Sequence, residues 1–239
     1  LNLVNCQAIL NNTVQVKLTL DAKKRVFVIG DLDADLPKFE RALASVNFNA
    51  ANDVLFALGD VIDRGAHSVA LLQRFKELGV YMTLGNHEHM MLESVLAQDS
   101  GYHALWVENG GRWHYELSEA ECVDVCLQLL NCPLSYLIEY AGMTIGLSHT
   151  VPQNWHWQNI PRNHSQAVTG LLWDRAITKQ GKVLHNQGVD FSIHGHNSTP
   201  RPYWIGNTYH IDTNYLGGEP TLVELSSLIS DFKQAQSMD

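Results

Sequence analysis

The chain has 239 residues, a formal net charge of −9 and 12 histidines, and no stretch long and apolar enough to span a membrane. The negative charge argues against a nucleic-acid surface, and it would repel phosphate-bearing substrates unless cations reverse its sign locally. The four cysteines, Cys6, Cys122, Cys126 and Cys132, form no C-x-x-C pair, so free buried thiols are expected rather than a disulfide framework or a zinc knuckle.

The first residues lack a basic segment followed by a cleavage site, so no signal peptide is expected and the cytoplasm is the default location. No linker-like stretch interrupts the chain, and 1–239 is read as one domain. Residues 14–20 alternate, with Val14, Val16, Leu18 and Leu20 on one face. After a polar turn at 21–24 comes the apolar run 25–30, and the pair is read as a β-hairpin with a buried second strand. That strand exits into Asp31, Asp33 and Asp35, three carboxylates at spacing two. Pro37 then opens a helix with Phe39, Leu43 and Val46 on one face and Asp35 as its N-cap candidate.

Val54 to Leu58 is the next strand; Gly59 ends it, and Asp60, Asp63 and Arg64 are delivered to one rim. A helix over 68–78, with Ala70, Leu71, Phe75 and Leu78 apolar, leads to a strand over 80–84. This one exits into Gly85-Asn86-His87-Glu88 and a helix through Leu96, whose core takes Met90 and Met91. Three successive strand exits carrying polar groups describe an α/β sheet that collects its ligand at the carboxyl ends of its strands.

Residues 98–117, with Trp106 and Trp113 among glycines, are read as a cap or flap. A capping box at Ser118–Glu121 starts a helix to about residue 130. Antiparallel strands follow at 135–140 and 143–148, joined by a turn at Ala141-Gly142 and ending at His149. A polar and aromatic excursion holding Trp155, Trp157, Trp173, Asp174 and Arg175 precedes a strand over 189–193 and its exit, His194-Gly195-His196. His194 is read as structural. Residues 209–212 and 221–225 are expected to finish the sheet.

The series Gly30-Asp31-x-Asp33, Gly59-Asp60-x-x-Asp63-Arg64-Gly65, Gly85-Asn86-His87-Glu88, Ser148-His149, Trp173-x-Arg175 and Gly195-His196 resembles the PPP-type metallophosphoesterases. Within them it is most similar to the small bacterial and phage serine/threonine protein phosphatases. The match keeps the family's order over roughly residues 26–225 and leaves 1–24 as an N-terminal strand or extension. The resemblance implies an α/β, calcineurin-like metallophosphoesterase fold: two facing mixed β-sheets flanked by helices, an α/β/β/α sandwich.

It also implies two divalent metal ions, Mn foremost, with Mg, Fe, Zn or Ni as alternatives. Asp31, Asp33 and Asp60 would hold the first; Asp60, Asn86, His149 and His196 would hold the second. Carboxylate, amide oxygen and imidazole suit such ions, and the pair lowers the pKa of a shared water toward ~7. The hydroxide so formed would attack phosphorus in line. Arg64, Arg175 and Asn86 would bind the phosphoryl oxygens. His87 would protonate the leaving alkoxide, a role worth roughly 10²–10⁴ in rate, and Asp63 would orient it.

One position departs from the family's Gly-Asp-x-His-Gly, because this chain has Asp33 and Ala34 there. A carboxylate can ligate but reaches less far than imidazole and adds negative charge, which should favour Mn or Mg over Zn. Expected substrates are phosphoserine and phosphothreonine proteins or small phosphoesters, with no nucleic-acid or membrane partner and a monomer as the default. One alternative is a dinucleoside polyphosphate hydrolase of the same fold. Such enzymes tend to carry Gly-Asn-His-Asp and His-Ala-Gly where this chain has Glu88 and His149-Thr-Val. The other is a catalytically impaired metal- or phosphoprotein-binding homologue, suggested by Asp33.

Overall fold

A computed structural model describes residues 12–180 and 185–237. Its strands form two mixed sheets. The six-stranded sheet runs in the order β1 (Val16–Thr19), β5 (Ser135–Tyr140), β6 (Met143–Ser148), β7 (Phe191–His194), β9 (Thr208–His210), β8 (Tyr203–Ile205). The four-stranded sheet runs β10 (Leu222–Glu224), β2 (Val26–Ile29), β3 (Val54–Ala57), β4 (Tyr81–Met82). β2, β3 and β4 are parallel, and β10 returns antiparallel to β2.

The sheets face each other across an apolar layer in which Val26, Val28 and Phe56 meet Ile138, Ile145, Leu147, Phe191 and Ile193. Alternate residues of the four-stranded sheet, Phe27, Ile29, Leu55 and Ala57, turn the other way onto helices. There they join Phe39 of α1 (Leu36–Ser45), Leu71 and Phe75 of α2 (Ser68–Leu78) and Met91 of α3 (Asn86–Val95). Burying each such side chain contributes roughly 1.5–3 kcal/mol. Trp157, in the excursion after β6, lies against Gly146 and within 6.3 Å of the His194 ring, covering the outer face of the six-stranded sheet. These layers make the α/β/β/α sandwich.

Local sequence sets the boundaries. Pro37 and the Asp35 carboxylate, which accepts from the Lys38 amide, open α1. Ser118 and Glu121 cap α5 (Glu119–Leu129) reciprocally. Ala141 and Gly142, with φ of 50° and 76°, make the two-residue turn between β5 and β6.

Several expectations are corrected. The hairpin over 14–30 does not form: β1 pairs in parallel with β5, while β2 lies in the other sheet. β1 alternates between half-buried and exposed residues, which suits an edge. β2 is buried at every residue, which suits a parallel strand covered on both faces. The strand at 80–84 is reduced to Tyr81–Met82. Residues 209–212 and 221–225 do not finish one sheet, since β10 crosses back to β2 and leads into α8 (Leu225–Gln236), which the sequence pattern did not separate from the strand. Ala70 is exposed, because the inward stripe of α2 runs through Ser68, Leu71, Leu72 and Phe75.

Residues 98–117 form α4 (Ser100–Glu108) and a 3-10 turn (Gly111–Glu116) that brings Trp106 fully inside. Short helices α6 (His164–Val168) and α7 (Ala176–Gln180) flank a π turn that ends at Trp173. Cys122 and Cys126 are buried free thiols, Cys132 is a half-buried one, and burial pushes Cys126 up to about 12. Cys6 and the stretch read for a signal peptide lie outside the described residues.

Candidate active centre

Strands β2, β3, β4, β6, β7 and β9 release their carboxyl ends at one rim. Asp31 follows β2, Asp60 follows β3, and Asn86 and His87 form the first turn of α3. His149 follows β6 directly, and His196 and Asp212 lie two residues beyond β7 and β9. The backbone here is bent hard: Asp33, Ala34, Asp60, Asp63, Arg64 and His196 all have φ between 48° and 73°. Such conformations cost roughly 1–2 kcal/mol each for residues with a Cβ, and they gather at sites where function fixes the geometry.

Glu88 holds two of these segments together. Its buried carboxylate accepts the backbone N–H of Gly85 at 2.8 Å, Asp60 at 2.9 Å, Val61 at 2.8 Å and Ile62 at 3.2 Å. The Asp60 carboxylate in turn accepts the His87 amide at 3.0 Å. A Cβ at Gly85 would collide with that carboxylate, which is why glycine precedes Asn86.

Acceptor atoms converge beyond Asp60. His149 Nδ1 donates to the Leu58 carbonyl at 2.7 Å, so in the neutral ring Nε2 carries the lone pair. Facing Nε2 are Asn86 Oδ1 at 3.0 Å, His196 Nδ1 at 3.1 Å and Asp60 Oδ1 at 3.4 Å. Acceptors this close in a buried site suit a cation. Asp60, His149 and His196 are all buried, with ligating atoms within 4.8 Å of one another. Burial, then the neighbouring His149 and Arg175, lowers His196 to about 2, which keeps it in the neutral form that binds metal.

Next to this cluster is an excess of negative charge. Burial and the carboxylates of Asp212, Asp60 and Asp33 push Asp31 well above its usual range. Asp212 Oδ1 is buried with no hydrogen-bond partner among the described residues, while Oδ2 accepts from Ser198 at 2.8 Å. Burial also raises Asp60, but the imidazoles of His149 and His87 outweigh it and hold it well below the carboxylate range. Orphaned acceptors and unbalanced carboxylates on one rim fit divalent cations.

A second group of side chains borders the rim. His87 Nδ1 meets Asp63 Oδ2 at 2.6 Å, and the indole N–H groups of Trp106 and Trp113 donate to the same carboxylate at 2.9 and 2.6 Å. Burial opposes charge on His87, but Asp60 and Asp63 outweigh it and raise its pKa. Arg64 Nη2 lies 2.8 Å from His87 Nε2, and its Nη1 donates to Asp33 Oδ1 at 2.6 Å. Arg175 Nη1 donates to the His196 carbonyl at 3.1 Å and to Asn197 Oδ1 at 3.2 Å.

Asp31, Asp60, Asp63, Arg64, Asn86, His87, His149, Arg175 and His196 are thus brought to one rim, whereas both oxygens of Asp33 turn to Arg64 and Asn214. Sequence reading missed Glu88 as the loop clamp, the two tryptophans as partners of Asp63, and Asp212. Glu88 sits at the third position of α3, where a carboxylate commonly turns back to the helix entrance. Asp212 follows a strand exit like Asp31 does; the tryptophans carried no readable signal.

A family model for calcineurin-like phosphoesterases matches residues 24–200. Serine/threonine-protein phosphatase 1 of Salmonella typhimurium is 29% identical over 210 residues, 84% of this chain and 92% of that protein. The symmetrical bis(5'-nucleosyl)-tetraphosphatase of Acidovorax ebreus is 41% identical over 69 residues, 28% of this chain and 25% of that one. A crystal structure of a proposed diadenosine tetraphosphatase superposes with a TM-score of 0.63 at 19% identity, covering 89% of this chain and 98% of its own. By sequence, by fold and by the convergence of its strand exits, this chain belongs to the calcineurin-like phosphoesterases.

Proposed function

We propose that the protein is a divalent-metal-dependent phosphatase acting on phosphoserine and phosphothreonine. Four acceptors, Asp60, Asn86, His149 and His196, meeting at one point carry the metal part of this reading. Similarity along almost the full length of a serine/threonine protein phosphatase supports the substrate class. Asp60, Asn86, His149 and His196 would hold one ion, and Asp31 with Asp60 a second. Such ions, Mn foremost, make water nucleophilic near neutral pH and offset phosphoryl charge.

The chain's own groups supply the rest. Asp63 holds the Nδ1 proton of His87 and leaves Nε2 facing the rim, where it would protonate the leaving serine or threonine oxygen. The raised pKa of His87 favours the protonated form that this role needs. Arg64 would release Nε2 when its Nη2 turns to a phosphoryl oxygen while Nη1 stays on Asp33, with Arg175 and Asn86 as further donors.

Hydrolysis of dinucleoside polyphosphates is the second reading, favoured by the tetraphosphatase segment that is 41% identical. Metal-stripped protein reloaded with Mn, Mg, Zn or Ni separates them. We expect Mn-dependent turnover of p-nitrophenyl phosphate and of phosphoserine and phosphothreonine peptides, all reduced by His87→Asn. Turnover of diadenosine tetraphosphate with none of the phosphopeptides would replace the first reading by the second.

A further inference from the structure

Asp33 stands where the resembled phosphatases carry a histidine, yet its carboxylate is engaged elsewhere. Oδ1 accepts from Arg64 Nη1 at 2.6 Å and Oδ2 from Asn214 Nδ2 at 3.3 Å. The backbone leads it there. The amides of Leu32 and Asp33 both donate to the Asp60 carbonyl, at 3.0 and 3.1 Å, and the Ala34 amide donates to the Val61 carbonyl at 2.9 Å. This laces loop 31–35 to loop 60–65. A Cβ at Gly65 would collide with the carbonyls of Asp33 and Ala34, so the approach of the two loops depends on that glycine.

The guanidinium of Arg64 is held on three sides: by Asp33, by His87 Nε2 at 2.8 Å and by the Tyr215 ring, whose centroid is 5.2 Å away. Each Nη keeps a second N–H for an incoming phosphoryl oxygen. The charge-assisted bond to Asp33 freezes a side chain that would otherwise lose rotamer entropy on binding substrate.

We propose that Asp33 is the positioning residue of Arg64, holding its guanidinium ready for the phosphoryl group, and is not a ligand of the first metal ion. The inference rests on the phosphatase reading above. It replaces the ligand role that the resemblance implies for position 33, and the preference for hard cations expected of a carboxylate ligand there.

The test is a double-mutant cycle read by orthophosphate binding to the manganese-loaded protein in titration calorimetry. Metal equivalents after dialysis are measured alongside by elemental analysis. Asp33→Ala should keep the wild-type manganese content and weaken orthophosphate about tenfold, the loss of a charge-assisted hydrogen bond. In an Arg64→Ala background the same substitution should change orthophosphate affinity less than about twofold, because coupled residues are not additive. Asp33→Asn, which keeps the shape of the side chain, should fall between and guards against a folding defect in the alanine variant. Loss of a metal equivalent in Asp33→Ala would overturn the proposal. So would weakening that is equal with and without Arg64, or tighter orthophosphate binding. A wild-type protein that takes up neither manganese nor orthophosphate would sink the phosphatase reading itself, and the inference with it.

Discussion

His87 and Asp63 are joined at 2.6 Å, Nδ1 to Oδ2, and the Asp63 carboxylate is completely buried with two indole N–H groups also directed at it. The imidazole is therefore fixed by a partner that is itself fixed, and only Nε2 is left to work. If that nitrogen protonates the leaving oxygen, His87→Asn should lower kcat by about 10²–10⁴ on phosphoserine peptides. The loss should be smaller on p-nitrophenyl phosphate, whose leaving group needs little protonation. Equal losses on both substrates would argue for a binding role instead.

Removing one indole donor tests the same assembly from behind. Trp106→Phe keeps most of the buried ring but removes one of the three side-chain donors to the Asp63 carboxylate. A hydrogen bond to a charged group contributes about 1.5–3 kcal/mol, and urea unfolding should show a loss of that size. Activity should fall as well, because His87 loses part of its restraint.

Metal binding should be visible without turnover. Manganese at about 100 times its dissociation constant should stabilise the native state by about 2.7 kcal/mol, read as an upward shift of the thermal midpoint. His196→Ala removes one of the four converging acceptors and should abolish most of that shift. An unchanged shift would place the ion elsewhere.

His194 and His210 predict an acid-sensitive core. Burial, then the positive charge of His210, lowers His194 well below its ordinary value, and burial lowers His210 to about 4. An unfolded histidine takes up its proton near 6.5, but His210 in the native protein waits until about 4. The stability that burial of neutral His210 preserves is thus complete above pH 6.5 and falls as pH drops toward 4, by about 1.4 kcal/mol per pH unit. Denaturant titrations at pH 7, 6 and 5 should show this slope, and His210→Asn should reduce it.

Where sequence was legible, a short-range signal existed. Asp35 and Pro37 mark the start of α1, Ala141-Gly142 marks a hairpin turn, and the motifs around Asp60, Asn86, His149 and His196 mark strand exits. Pairing was harder to read, since alternation in 14–20 identifies a strand but not its partner, and the true partner, β5, lies more than a hundred residues away. The role of Asp33 was hidden for a related reason. Its motif pointed to a metal, whereas its side chain is governed by Arg64, Asn214 and the turn of its own backbone.

The pairing of β10 with β2 also has a consequence during synthesis. Among the described strands β2 is the second in chain order and β10 the last, so β2 leaves the ribosome well before its partner. Until Leu222–Glu224 emerges, β2 keeps an open edge whose four residues, Val26–Ile29, are all fully buried in the finished fold. Every nascent chain therefore passes through a stage with an unpaired apolar strand edge, the kind of surface that recruits chaperones or other nascent chains. The sheet that presents Asp31, Asp60 and Asn86 closes only when β10 arrives.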